Sequence, residues 1–122
     1  MKLLGDKNYF YGTGVSEKSD TLAAVDEAYQ LSGLPEDLKP SFILIFSTGR
    51  HNPNILYNRL RELAGPDTKI CGGYAVGLIS NDYIGYDGYQ LGMLVVYDPT
   101  VLFDVFWGEG IQSEPAVLSK KP

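Results

Sequence analysis

Two short stretches carry the side chains best placed to do chemistry. The first is Ser47-Thr48-Gly49-Arg50-His51-Asn52, which follows a run of apolar residues and precedes Pro53. Arg50 can make a bidentate contact with a carboxylate or phosphate, and Ser47 and Thr48 add hydroxyl donors. If a helix starts at Pro53, its free N–H groups and dipole favour an anion at the same place. The second stretch, Cys71-Gly72-Gly73-Tyr74-Ala75-Val76-Gly77, puts three glycines into residues 72–77. Glycines at that density within a strand call for a bulge, a second chain packed close, or a ligand lying against bare backbone. Both stretches also have plainer readings. The first fits a capped helix start with a solvated Arg50 and His51, and the glycines of the second can simply make room for neighbouring side chains.

Other arrangements carry less. Cys71 and His51 could form a thiol and base, but no nucleophile elbow, second histidine or orienting motif accompanies them. In an apolar strand, Cys71 is expected to be an inert buried thiol. Gly12-Thr13-Gly14 resembles a dinucleotide fingerprint, yet Glu17 stands where its third glycine belongs and the following helix starts too late. Asp87, Asp98, Asp104 and Glu109 are scattered carboxylates. One cysteine and one histidine exclude an internal disulfide and a multi-cysteine zinc site. No catalytic residue, metal or cofactor is therefore expected, and the chain does not read as an enzyme.

The elements that must position these residues follow from the pattern. Tyr9 to Val15 reads as a strand by its aromatic and β-branched content. Ser19 or Asp20 can cap a helix over Thr21 to Ser32, with Leu22, Val25 and Tyr29 on one face, ended by Gly33 and Pro35. Phe42-Ile43-Leu44-Ile45-Phe46 is a short unbroken apolar run, as in a strand buried on both faces. Asn52 as N-cap and Pro53 as first residue open a second helix, striped by Leu56, Leu60 and Leu63 and stopped by Gly65-Pro66. A third strand starts at Lys69 and runs through the glycines to Ile79. A loop over Asn81 to Gly88 then holds Tyr83 and Tyr86. Strands at Tyr89 to Tyr97 and Val101 to Trp107 complete the order β-α-β-α-β-β-β. The fold class is α/β, with a mixed sheet of about five strands and the helices mainly on one face. That leaves the other face bare, which usually signals a partner.

Composition sets the outer limits. The 122 residues make one domain, and residues 111–122 read as a loose tail. Ten basic against fifteen acidic residues give a net charge of −5, which argues against nucleic acid and an anionic membrane surface as partners. No apolar run approaches the ~20 residues of a membrane helix. The first residues show no signal-peptide pattern, so a cytoplasmic location is expected.

Taken together, Val15 with the polar break and helix after it, Phe42 to Ser47, the leucine-striped helix and Lys69-Ile70-Cys71-Gly72-Gly73-Tyr74-Ala75-Val76-Gly77-Leu78-Ile79 resemble the start of a FIST N-terminal domain (F-box and intracellular signal transduction). Gly72, Ala75, Val76, Gly77 and Ile79 match the family's glycine-bearing strand. Gly14-Val15 and Trp107-Gly108-Glu109-Gly110-Ile111 sit where the family has glycine-bearing strand ends. Tyr74 stands in place of a small hydroxyl residue and Leu78 in place of an acidic one. The resemblance spans most of residues 9–115, the first half of the family's N-terminal domain.

It implies a non-enzymatic sensory module for signal transduction that binds a small ligand, such as an amino acid or other small carboxylate. The residues themselves point to the same crevice, at the carboxyl edge of the second and third strands. The expected ligand-binding residues are Ser47, Thr48, Arg50, His51, Asn52, Gly72, Gly73, Tyr74 and Ala75. The carboxylate would rest at the second helix's N-terminus, with aromatic walls from Tyr74, Tyr83 or Tyr86. The alternative is a structural or interaction half-domain that homodimerises, or docks a missing partner domain, with no ligand.

Overall fold

The computed structural model describes residues 8–80 and 83–105. The elements run β1 (Phe10–Ser16), α1 (Thr21–Leu31), β2 (Phe42–Ser47), α2 (Pro53–Ala64), β3 (Lys69–Tyr74), β4 (Gly77–Ser80), β5 (Tyr83–Tyr86) and β6 (Leu91–Tyr97). The α/β class and the mixed sheet are as the sequence predicts. The main sheet has four strands in the order β1-β6-β2-β3, and β4 and β5 form a separate hairpin. β2 and β3, joined through α2, pair in parallel, while β6 pairs antiparallel with β1 on one side and β2 on the other.

Each helix starts where its sequence says. Asp20 Oδ2 accepts the Ala23 N–H at 3.0 Å, and Asn52 Oδ1 accepts those of Asn54 and Ile55 at 2.9 and 3.1 Å. Pro53 occupies the first turn of α2, where its missing N–H costs nothing. α2 ends on Gly65 at φ 96°, a conformation that glycine adopts freely. There the Arg61 guanidinium donates to the Gly65 and Thr68 carbonyls, tying the helix end to the start of β3.

The core lies between the helices and one face of the sheet. Ile43, Ile45, Leu91, Met93 and Val95 meet Ala24, Val25 and Ala28 of α1 and Leu60 and Ala64 of α2, with Leu56 and Leu63 packed at its margin. Of the expected stripe on α1, Val25 is buried and Tyr29 packs against the core, whereas Leu22 is exposed and Thr21, Ala24 and Ala28 are buried beside them. The cause is a close approach. A Cβ on Gly12 would run into the Ser32 carbonyl, and one on Gly14 into the Ala28 carbonyl. The helix lies so near β1 that only small side chains fit between, and Leu22 turns outward.

Three further expectations give way. The glycine-rich strand breaks after Tyr74: residues 69–74 join the main sheet, and the chain then leaves it to form β4. The expected loop over Asn81 to Gly88 contains β5, so β4 pairs with β5 and Ile79 faces Ile84. Residues 101–105 form no strand, and Phe103 instead stacks on Phe42 at 5.3 Å. The sheet's second face is consequently covered in part. Phe103 lies over one end, and at the other Leu78 reaches the notch left by Gly92, where a Cβ would stand 2.9 Å from Leu78 Cδ1. The expected tail at 111–122, Trp107 and the residues up to Ile111 lie outside the described residues.

Candidate functional site

The end of β2, the first turn of α2 and the edge strand β3 enclose a cleft of about 310 Å³. Its walls are Ile45 and Ser47 of β2, Pro53, Leu56 and Tyr57 of α2, and Ile70 to Tyr74 of β3. That volume is near the lower bound of ligand pockets, ~300–1,000 Å³, so a compact molecule would fill it. The lining is largely apolar, with the Tyr57 and Tyr74 rings, the Ser47 side chain and the backbone of the glycines as its polar parts. Nothing stands within 4 Å of where a Cβ on Gly73 would be, whereas a Cβ on Gly72 would run into the Ile45 carbonyl. Gly72 therefore lets β3 lie close to β2, and Gly73 leaves its side of the strand open.

Cys71 is exposed, contrary to the buried thiol expected of an apolar strand. The reason is that β3 is the last strand of the sheet, so no neighbour covers it. The segment Cys71 to Tyr74 is exposed throughout.

The loop after β2 opens onto a second, smaller cleft of about 210 Å³ lined by Thr48, Gly49, Arg50, Ala75, Val76, Asp87 and Gly88. Arg50 Nη2 lies 4.0 Å from Asp87 Oδ1, and its guanidinium sits 5.6 Å from the centroid of the Tyr89 ring. Of the nine residues expected to bind ligand, Ser47, Gly72, Gly73 and Tyr74 thus line the larger cleft. Thr48, Arg50 and Ala75 line the smaller one. Ala75 is joined to the first group through its N–H, which donates to the Ser47 carbonyl at 2.8 Å.

The remaining two are engaged by the fold. His51 is 2% exposed, with Nδ1 3.0 Å from the Thr21 hydroxyl and Nε2 2.7 Å from the Tyr89 carbonyl. A carbonyl only accepts, so Nε2 carries the proton and Nδ1 accepts from Thr21. Asn52 gives its side-chain oxygen to the first turn of α2, where two of the N–H groups offered to an anion are already satisfied. Tyr83 and Tyr86 belong to the β4–β5 hairpin; Tyr83 lines neither cleft, and burial pushes its hydroxyl up from its ordinary pKa.

Sequence reasoning missed Ile45, Pro53, Leu56, Tyr57, Ile70 and Cys71 as lining residues. Leu56 belongs to the apolar stripe of α2, which reads simply as core, and only the position of the sheet edge shows that the stripe also walls a cleft. A wider hollow of about 600 Å³ lies at the opposite end of the molecule, between Gly33 to Lys39 and Leu63. Its lysine, Lys39, donates to the Leu63 carbonyl at 3.2 Å. Among the described residues, no group of three or more His, Cys, Asp or Glu is placed to hold a metal ion, and no helix is long and apolar enough to cross a membrane.

No protein-family model and no curated protein matches the sequence. Among solved structures, the fold is similar to an FtsZ mutant from M. jannaschii, with a TM-score of 0.45 and 16% identity over 73% of this chain and 27% of that one. It is also similar to TubZ of Bacillus thuringiensis serovar israelensis, solved as GDP-form protofilaments, with a TM-score of 0.42 and 13% identity over 75% of this chain and 26% of that one. The chain thus spans about a quarter of the length of either structure. A likeness this distant does not bear on what the chain binds.

Proposed function

We propose that this chain is a non-enzymatic, cytoplasmic sensory module of the FIST kind, which takes up a small molecule in the cleft between α2 and β3. The ligand class is an amino acid or another small carboxylate. One observation carries the reading: Ser47, Gly72, Gly73 and Tyr74, drawn from two separate stretches of sequence, line a single cleft of amino-acid size. Leu56, Tyr57 and Tyr74 would hold the apolar part of the ligand. The open side of β3 at Gly73 would present its backbone.

A second reading is favoured by a different observation. β3 is an open sheet edge; Val76, just beyond it, is 84% exposed, and Ile79 and Ile84 of the hairpin are 80% and 75% exposed. An uncovered edge with apolar neighbours is a template for strand pairing, so a second copy or a partner protein could dock there with no ligand.

Native mass spectrometry of the purified, untagged chain separates the two. A reproducible small adduct that is lost in Tyr74→Ala supports the sensor. A dimer without adduct, whose affinity for added amino acids is nil, supports the interaction module.

A further inference from the structure

We propose that the smaller cleft, between the β2–α2 loop and the neck of the β4–β5 hairpin, is a separate seat for a small oxyanion, a carboxylate or a phosphate, in which Asp87 is the occupant that a ligand displaces. This seat stands apart from the α2–β3 cleft, and its test does not depend on that cleft binding anything.

Arg50 now makes only a weak contact with Asp87. Charge-assisted hydrogen bonds between a guanidinium and a carboxylate close to ~2.7–2.9 Å, whereas Arg50 Nη2 stays 4.0 Å from Asp87 Oδ1. Both side chains are largely exposed, at 54% and 83%, and a pair of that kind contributes little to stability. The guanidinium nonetheless has a defined place. It lies over the Tyr89 ring, and that ring meets the edge of His51 at 5.8 Å and 76°. His51 is itself fixed by Thr21 and the Tyr89 carbonyl. A cation held on a braced aromatic platform, but poorly matched by its own carboxylate, retains most of its capacity to bind an anion.

The rest of the cleft fits that role. The N–H groups of Gly49 and Arg50 have no hydrogen-bond partner among the described residues, and the space where a Gly49 Cβ would stand is open. The walls are tied together: Thr48 Oγ1 donates to the Gly88 carbonyl at 2.6 Å, Thr48 N–H to Gln90 at 3.0 Å, and Asp87 N–H to Val76 at 3.1 Å. A volume of about 210 Å³ suits an oxyanion with few carbons. Asp87 is the one described non-glycine residue at positive φ, 59°, a region that Asp and Asn tolerate better than other side chains. Asp87→Asn therefore removes the competing charge and keeps the turn.

The test is an amide NMR titration of the full chain with sodium acetate and with sodium phosphate, at constant ionic strength set by sodium chloride. The expected result is saturable shifts centred on Gly49, Arg50, Asp87 and Gly88. Asp87→Asn should tighten binding roughly two- to fivefold, the range that a weak surface pair allows. Arg50→Gln should weaken it at least about tenfold, as the loss of a charged hydrogen-bond donor implies, and Asp67→Asn, which removes an exposed charge elsewhere, should change nothing. Saturation by either anion upholds the seat, and the tighter one names its chemistry. No saturable shift with either anion, or an equal gain from Asp87→Asn and Asp67→Asn, overturns it.

Discussion

The Thr21 hydroxyl donates to His51 Nδ1 across 3.0 Å, joining the first residue of α1 to the loop that precedes α2. Thr21 Oγ1 also accepts the Asn52 N–H at 3.2 Å, and His51 Nε2–H reaches the Tyr89 carbonyl at 2.7 Å. Each polar atom in this chain of contacts has a partner, and together they hold the loop between the two clefts against the body of the fold. Removing the ring would leave the Thr21 hydroxyl proton without its acceptor in a buried place and the Tyr89 carbonyl without its donor. His51→Ala is expected to lower stability by about 2–4 kcal/mol, combining lost packing with unmet hydrogen bonds. Thr21→Val, which keeps the shape, should cost about 1–2 kcal/mol. Urea denaturation followed by circular dichroism measures both.

Two glycines facing opposite layers should respond differently to the same added methyl group. At Gly14 a Cβ meets the Ala28 carbonyl, which is helix backbone and cannot yield without moving α1. Gly14→Ala is expected to destabilise by about 3 kcal/mol or more, the upper range of overpacking. At Gly92 a Cβ meets the tip of the Leu78 side chain, which can swing aside. Gly92→Ala should cost under about 1 kcal/mol globally. It should also loosen the hairpin, seen as faster amide exchange in β4 and β5 and unchanged exchange in β2 and β6.

Alkaline pH should weaken the fold through Tyr29. Burial raises its pKa above the ordinary 10.0, because the charged phenolate is disfavoured inside. A pKa higher in the folded than in the unfolded chain stabilises fully below the ordinary tyrosine range, and that contribution is lost as pH rises through the folded value. Stability should therefore decline as pH climbs above about 10, the ordinary tyrosine pKa. Tyr29→Phe should flatten part of that decline, leaving the part due to Tyr83, whose pKa burial also raises. Chemical denaturation at a series of pH values, for the chain and for Tyr29→Phe, reads the difference in slope.

Local signals carried the helices and β1, β2 and β6 into the structure nearly unchanged. Asp20, Asn52, Pro53 and Gly65 act through their own backbones, so their roles can be read within a few residues of sequence. Leu22 was misleading because its exposure depends on how near β1 comes, which Gly12 and Gly14 set from outside the helix. The continuous glycine-rich strand was misleading for a related reason: Gly72 belongs to the sheet, Gly77 belongs to the hairpin, and the break between them follows from where Leu78 finds the Gly92 notch. At the candidate site, Ser47 and Tyr74 could be read because a parallel β-α-β unit brings them side by side in register. The separation of Arg50 from that cleft could not, since it depends on the path of the β5–β6 connection. Cys71 shows the same limit, because an apolar strand reads as buried until its place at the sheet edge is known.

That exposed thiol gives the most direct test of the α2–β3 cleft as a binding site. Cys71 is the sole cysteine and lies in the cleft wall, so its alkylation rate reports occupancy with no added label. The measurement is the rate of reaction with iodoacetamide, followed by mass spectrometry, with each standard amino acid and a set of small monocarboxylates added in turn. The account predicts that at least one of these slows the reaction saturably by several-fold, and that Tyr74→Ala abolishes the protection while leaving the unprotected rate near its original value. A rate that no compound in the panel changes would contradict it.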